Sequence, residues 1–105
     1  MPVEMLSDQV TLARLVDGPP FGQDLDALGL NGAAKIVLDF SDVRHINSSG
    51  LARLLRLRQR LVEDGSMLVL CTLSPQVLSV FQVTGLDKIF NIAGSRDEAL
   101  QLVRS

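Results

Sequence analysis

The chain contains neither Trp nor Tyr, and only one His and one Cys in 105 residues. Each scarcity removes a class of function. A lone Cys71 cannot close an internal disulfide, and one His with one Cys is too few soft ligands for a His/Cys metal site. Such cysteine usage fits a reducing cytoplasm, which is the expected location. Without Tyr or Trp, a basic stretch lacks the stacking platform usual for single-stranded nucleic acid. Long apolar runs are missing as well: the longest, Met67 to Cys71, falls far short of the roughly 20 residues of a membrane-spanning helix. Met1-Pro2-Val3-Glu4 carries no basic segment leading into an apolar one, so no secretory signal is expected. Direct nucleic-acid binding, membrane insertion, a metal and a cofactor are all outside the expectation.

What is present is a hydrophobic fraction of 47%, enough for one domain over residues 1–105 to bury a core without metal or disulfide. The 12 acids and 10 bases nearly cancel, but they are segregated. Arg44 to Arg60 holds five arginines and no acid, and the remainder holds all 12 acids against five bases. A solvated helix face is the plain reading of Arg53, Arg56, Arg58 and Arg60.

Periodicity divides the chain into elements. Val3 to Ser7 and Val10 to Val16 read as an N-terminal hairpin, ended by Gly18-Pro19-Pro20. Leu25, Leu28 and Leu30 suggest at most two turns of helix before Asn31-Gly32. Lys35 to Phe40 lacks alternation, as a strand covered on both faces does. From Gly50 to Glu63 the spacing turns helical, with Leu51, Leu54, Leu55, Leu61 and Val62 within an arc of about 120° and Arg53, Arg56 and Arg60 opposite. Arg58 falls inside the apolar arc and must snorkel over the core edge or mark a contact. Met67 to Cys71 is a further buried strand, and Ser74-Pro75 opens a helix that stops at Gly85. Lys88 to Ile92 is expected as a last strand, and Ser95-Arg96-Asp97-Glu98 has the capping-box spacing for a closing helix. Right-handed crossovers then give an α/β domain: a mixed sheet with an N-terminal hairpin, parallel β-α-β-α-β units and helices packed on it.

Enzyme constellations fail on inventory. Asp39, Asp42, His45 and Ser48 or Ser49 form a nominal hydrolase set. However, Asn47-Ser48-Ser49-Gly50 lacks the first glycine of a nucleophile elbow, and His45 precedes the serines too closely to fold back as their base. Gly29 to Lys35 lacks the second glycine and the Ser/Thr of a phosphate-binding loop. No catalysis is expected. The junction from the buried strand to the arginine-bearing helix remains. Asn47 or Ser48 can serve as a helix N-cap contributing about 1 kcal/mol. A serine at a helix N-terminus is also where a phosphate is best tolerated, and Arg53 lies one turn beyond Ser49 on the same face. Residue chemistry leaves both readings open.

Ile36-Val37-Leu38-Asp39-Phe40-Ser41-Asp42-Val43 followed by Ile46-Asn47-Ser48-Ser49-Gly50-Leu51 resembles the hallmark segment of the STAS domain, shared by bacterial anti-sigma-factor antagonists. Met67 to Cys71, Leu73-Ser74-Pro75-Gln76-Val77, Phe81 and Thr84 to Phe90 follow the same pattern in order and spacing, so the likeness runs from about Lys35 to Val103. It implies a regulatory protein, without catalysis of its own, that binds an anti-sigma factor which is also a serine kinase. The kinase phosphorylates the serine before the glycine, here Ser49, with Ser48 as second choice, and a phosphatase restores it. Asp39, Asn47, Ser48, Gly50, Arg53 and Arg56 are the implied partner-binding residues. Two features differ from the family. Asn47 stands where its antagonists usually carry Asp, so the carboxylate that would orient the serine hydroxyl is replaced by an amide. Gly18 to Ala34 is also shorter than the usual helix and connection. Another branch of the family, the STAS subunit of lipid-transport ABC complexes, is the alternative, with the serine as cap and contact.

Overall fold

Ile36-Val37-Leu38 shows no polar alternation because both of its faces are covered. In a computed structural model, which describes residues 3–5, 10–16 and 35–104, this run is the middle of a five-stranded sheet. Strands β1 (Val3–Met5), β2 (Val10–Val16), β3 (Lys35–Asp42), β4 (Met67–Cys71) and β5 (Asn91–Ala93) lie side by side in chain order. β1 is antiparallel to β2, and every later pairing is parallel. Leu6 and Ser7, expected in the first strand, and the weak helix of the Gly18 to Ala34 region lie outside the described residues.

Helices α1 (Ser48–Glu63) and α2 (Pro75–Thr84) cover one face. Their Leu54, Leu57, Leu61, Val77 and Phe81 pack with Ala13, Leu15, Ile36, Leu38, Phe40, Leu68 and Leu70. The opposite face, with Val37, Val69, Cys71 and Ala93, is closed by Ala99 and Val103 of α3 (Arg96–Arg104). Both ends of α3 are tied to β3. Lys35 Nζ donates to the Val103 carbonyl, and Arg96 reaches Asp39 at 2.9 Å. Caps set the helix limits: Ser74 Oγ accepts from the Val77 amide at 3.3 Å with Pro75 next in line, and Gly85 ends α2 in the left-handed region at φ 77°. Ser95 Oγ accepts from the Glu98 amide at 3.2 Å, while the Glu98 carboxylate accepts from Gly94, one residue before the expected partner.

Two expectations are corrected. The last strand begins at Asn91, because Leu86–Lys88 forms a 3-10 turn whose Leu86 carbonyl accepts from the amides of Ile89 and Phe90, both at 3.0 Å. Those amides are spent locally, and Phe90 turns its ring edge-on to Phe81 at 5.6 Å. The buried line of α1 is Gly50, Leu54, Leu57 and Leu61, so it omits Leu55 and Val62, which are 36% and 57% exposed. α1 carries two neighbouring rows with the same spacing, the second being Leu51, Leu55, Arg58 and Val62, and a single wide arc averages them. Arg58 belongs to the outer row and lies half-buried at the core edge.

Candidate functional site

β3 leaves the sheet under tight local control. Asp39 Oδ1 accepts from the Ser41 amide at 2.9 Å, and β3 gains one residue against β2 there, since Arg14 pairs with Asp39 but Val16 with Asp42. The Val43 amide then donates to the Phe40 carbonyl at 2.9 Å. Val43 is buried and Ile46 packs on the core, while Arg44 and His45 between them face solvent. The turn is held at both ends by apolar anchors, and its polar residues point outward.

Asn47 follows in an extended conformation, φ −112° and ψ 177°, with Oδ1 accepting from the Gly50 amide at 2.8 Å and its carbonyl from Leu51 at 3.0 Å. Of the two candidate caps, Asn47 therefore performs the task. Ser48 and Ser49 occupy the first two helical positions and are exposed; Gly50 is buried. At 100° per residue, Ser49, Arg53, Arg56 and Arg60 lie within about 60° of one another. Arg53 is half-buried, and Arg56 and Arg60 are exposed. No acidic residue stands in the first turn of α1, so the positive end of the helix dipole meets no carboxylate of its own first turn. Replacing Asn47 with Ala should cost about 1 kcal/mol in urea unfolding, through the lost cap. Asn47→Asp should keep the cap and gain about 0.3–1 kcal/mol at neutral pH from the added anion. That gain fades as acid protonates the new carboxylate.

The structure separates Asp39 from the other expected partner-binding residues. Its side chain projects to the α3 face, is only 3% exposed, and meets Arg96 Nη2 at 2.9 Å and Arg14 Nε at 4.0 Å through Oδ2. Burial alone pushes its pKa up. The Arg96 hydrogen bond, the bonds from Ser41 and the Arg96 charge outweigh that and hold the carboxyl below its ordinary value. The same burial, with the Asp39 charge nearby, pushes the Cys71 thiol up, so this cysteine is a poor nucleophile. With both of its oxygens engaged by Ser41 and Arg96, Asp39 is not free to orient a base in the nominal hydrolase set. Among the described residues no group of three or more His, Cys, Asp or Glu could hold a metal ion, and no helix is long and apolar enough to cross a membrane.

Arg14 and Arg96 were not foreseen as parts of this arrangement. One signal did exist: an Asp inside an otherwise apolar strand must find a cation. Which cation it finds depends on the docking of α3, 57 residues away along the chain.

Residues 8–99 match the STAS domain family, and the chain belongs to it. BtrV of Bordetella bronchiseptica, assigned as an anti-sigma factor antagonist, is 38% identical over 68 residues, which make up 65% of this chain and 59% of BtrV. An anti-sigma factor antagonist from Mycobacterium paratuberculosis superposes with a TM-score of 0.83 at 26% identity, covering 99% of this chain and 92% of that one. The Bacillus cell fate determinant SpoIIAA in its phosphorylated form has a TM-score of 0.70 at 22% identity, with 97% of each chain covered, a likeness of fold.

Proposed function

We propose that the chain is an anti-sigma factor antagonist that works in the cytoplasm as a single binding domain, without catalysis of its own. It docks on an anti-sigma factor that is also a serine kinase, through Asn47, Ser48, Gly50, Arg53 and Arg56, and is released when Ser49 is phosphorylated. A phosphatase resets it. The observation that carries the reading is the division of labour at the start of α1. Asn47 takes the capping bond, and Ser49 stands exposed at the positive end of the helix on the arginine face. A phosphate adds about −1.5 to −2 charges there, in a setting that favours an anion on the protein itself but alters any surface docked against it. Asp39 enters the proposal as an internal anchor of the strand that leads to this surface. The relatives support the reading by their assignment as anti-sigma factor antagonists.

The test starts from the tagged full chain expressed in its own cells. It should co-purify with an anti-sigma factor carrying a kinase fold, and incubation of that pair with ATP should add one phosphate, mapped to Ser49. An intact mass that does not change removes the switch. Recovery of a membrane-transport ATPase instead would move the chain to the lipid-transport branch.

A further inference from the structure

We propose that Arg96, on the face of the sheet opposite α1, positions the Ser49 turn through the carboxylate of Asp39. The two oxygens of Asp39 face different tasks. Oδ2 receives Arg96 Nη2 from the first residue of α3, and Oδ1 receives the Ser41 amide in the bulged stretch of β3, each at 2.9 Å. Phe40 and Ser41 together stand opposite Leu15 alone, between the Arg14–Asp39 and Val16–Asp42 pairs, so this bond lies within the bulge and fixes the direction of β3 just before the chain leaves the sheet. From there the Val43–Phe40 backbone bond, the buried Val43 and the core-packed Ile46 carry the chain to the Asn47 cap without a freely hinged step. A carboxylate 3% exposed is oriented by its partners alone. Removing Arg96 leaves it charged and undersatisfied, and its cheapest remedy is to swing toward solvent or toward Arg14, releasing Ser41. The groups facing this carboxylate are Arg14 from β2, Cys71 from β4 and Arg96 from α3.

This positioning role makes α3 a second handle on the docking surface: anything that displaces Arg96 alters the presentation of Ser49 from the far side of the sheet. Its consequence for signalling rests on the reading of Ser49 given above; the geometric claim does not. α2 provides an internal control, because its Ser74 cap starts a helix on the same face of the sheet as α1 and has no bond to Asp39.

Amide hydrogen exchange on the full chain tests the relay, with wild type, Arg96→Met and Arg96→Lys compared. In Arg96→Met the amides of Ser41, Val43, Gly50 and Leu51 should exchange about tenfold faster or more, with Val77 and Leu78 of α2 changed by less than about twofold. Arg96→Lys, which can still reach the carboxylate with one charged donor, should recover much of the protection. Equal acceleration in α2, or no change at Ser41 to Leu51, overturns the proposal, the first outcome being mere global destabilisation. Should Arg96→Met fail to fold, Arg96→Gln, which also removes the charged donor, takes its place under the same criteria: faster exchange at Ser41 to Leu51 alone supports the relay, and exchange unchanged or faster everywhere refutes it. Phosphorylation of Ser49 by the co-purified kinase, followed in the same variants, should slow in Arg96→Met and recover in Arg96→Lys. Localised exchange with no phosphorylation even in wild type would keep the relay and sink the switch.

Discussion

Arg96→Met should destabilise the protein by about 2 kcal/mol at neutral pH, and by progressively less as the solution is acidified. Removing one member of a fully buried ion pair typically costs about 3–5 kcal/mol, because the other charge stays behind unpaired. Here the Arg96 side chain is 39% exposed, and Arg14 Nε, 4.0 Å from the same oxygen, retains part of the compensation, so the expected loss is smaller. Methionine keeps much of the length and apolar stem of arginine, which confines the change largely to charge and hydrogen bonding. The direction with pH follows from the two carboxyl states. In wild type the folded carboxyl is held below its unfolded value, so its contribution is complete above a pH of about 3.9 and is lost as acid titrates it through the lower folded value. In Arg96→Met the hydrogen bond and charge of Arg96 are gone, so the folded carboxyl should rise from its wild-type value. The variant therefore has less carboxylate stabilisation to lose on acidification, and the difference between the two proteins shrinks toward acid. Urea unfolding of both at neutral pH and near pH 4 measures it, and a difference independent of pH would mean that Asp39 is not the group involved. In Asp39→Asn the same Arg96→Met change should cost less than about 1 kcal/mol, since no buried charge is left behind.

The parts of this molecule that local chemistry controls could be read directly. Ser74-Pro75 and Gly85 bracket α2 because a side-chain acceptor, a missing amide and a left-handed residue each act within one turn of where they stand. Ile36-Val37-Leu38 announced a strand with two covered faces, and the sheet places it between α1 and α2 on one side and α3 on the other. What escaped reading depends on partners brought by tertiary packing. The inward row of α1, Gly50-Leu54-Leu57-Leu61, contains a glycine that a hydrophobicity pattern does not count, and the neighbouring row contains Leu55 and Val62, which it counts and the core does not use. Phe90 reads as a strand residue by propensity, yet its ring is taken by Phe81 and its amide by Leu86. Asp39 carries the same lesson at the site. The family resemblance set it with the Asn-Ser-Ser-Gly turn among the partner-binding residues, but alternation along β3 sends it to the opposite face, where α3 arrives with Arg96.

Ser49→Asp should weaken binding to the anti-sigma factor by about a hundredfold or more while leaving the fold intact, and Ser49→Ala should bind at least as well as wild type. The two effects are separable because a carboxylate at the second position of α1 acts in opposite senses on the molecule and on its complex. Within the chain it faces the unpaired amides of the helix start and the row of Arg53, Arg56 and Arg60, and no other acid stands in that first turn. Thermal unfolding should therefore show no loss, and a gain of up to about 1 kcal/mol at low salt. In the complex the same carboxylate must lose water or face the partner's groups. Desolvating an uncompensated charge, or setting it against a like charge, costs several kcal/mol, and a factor of one hundred in affinity corresponds to about 2.7 kcal/mol. A carboxylate carries about half the charge of a phosphate and fewer acceptor oxygens, so Ser49→Asp should fall short of the phosphorylated protein in this respect. Titration calorimetry of wild type and both variants with the co-purified anti-sigma factor measures the binding, and unfolding curves on the same samples measure the fold. Loss of binding with matching loss of stability in Ser49→Asp would mean that the serine serves the helix. Binding by Ser49→Asp equal to that of Ser49→Ala would mean that the docking surface lies elsewhere.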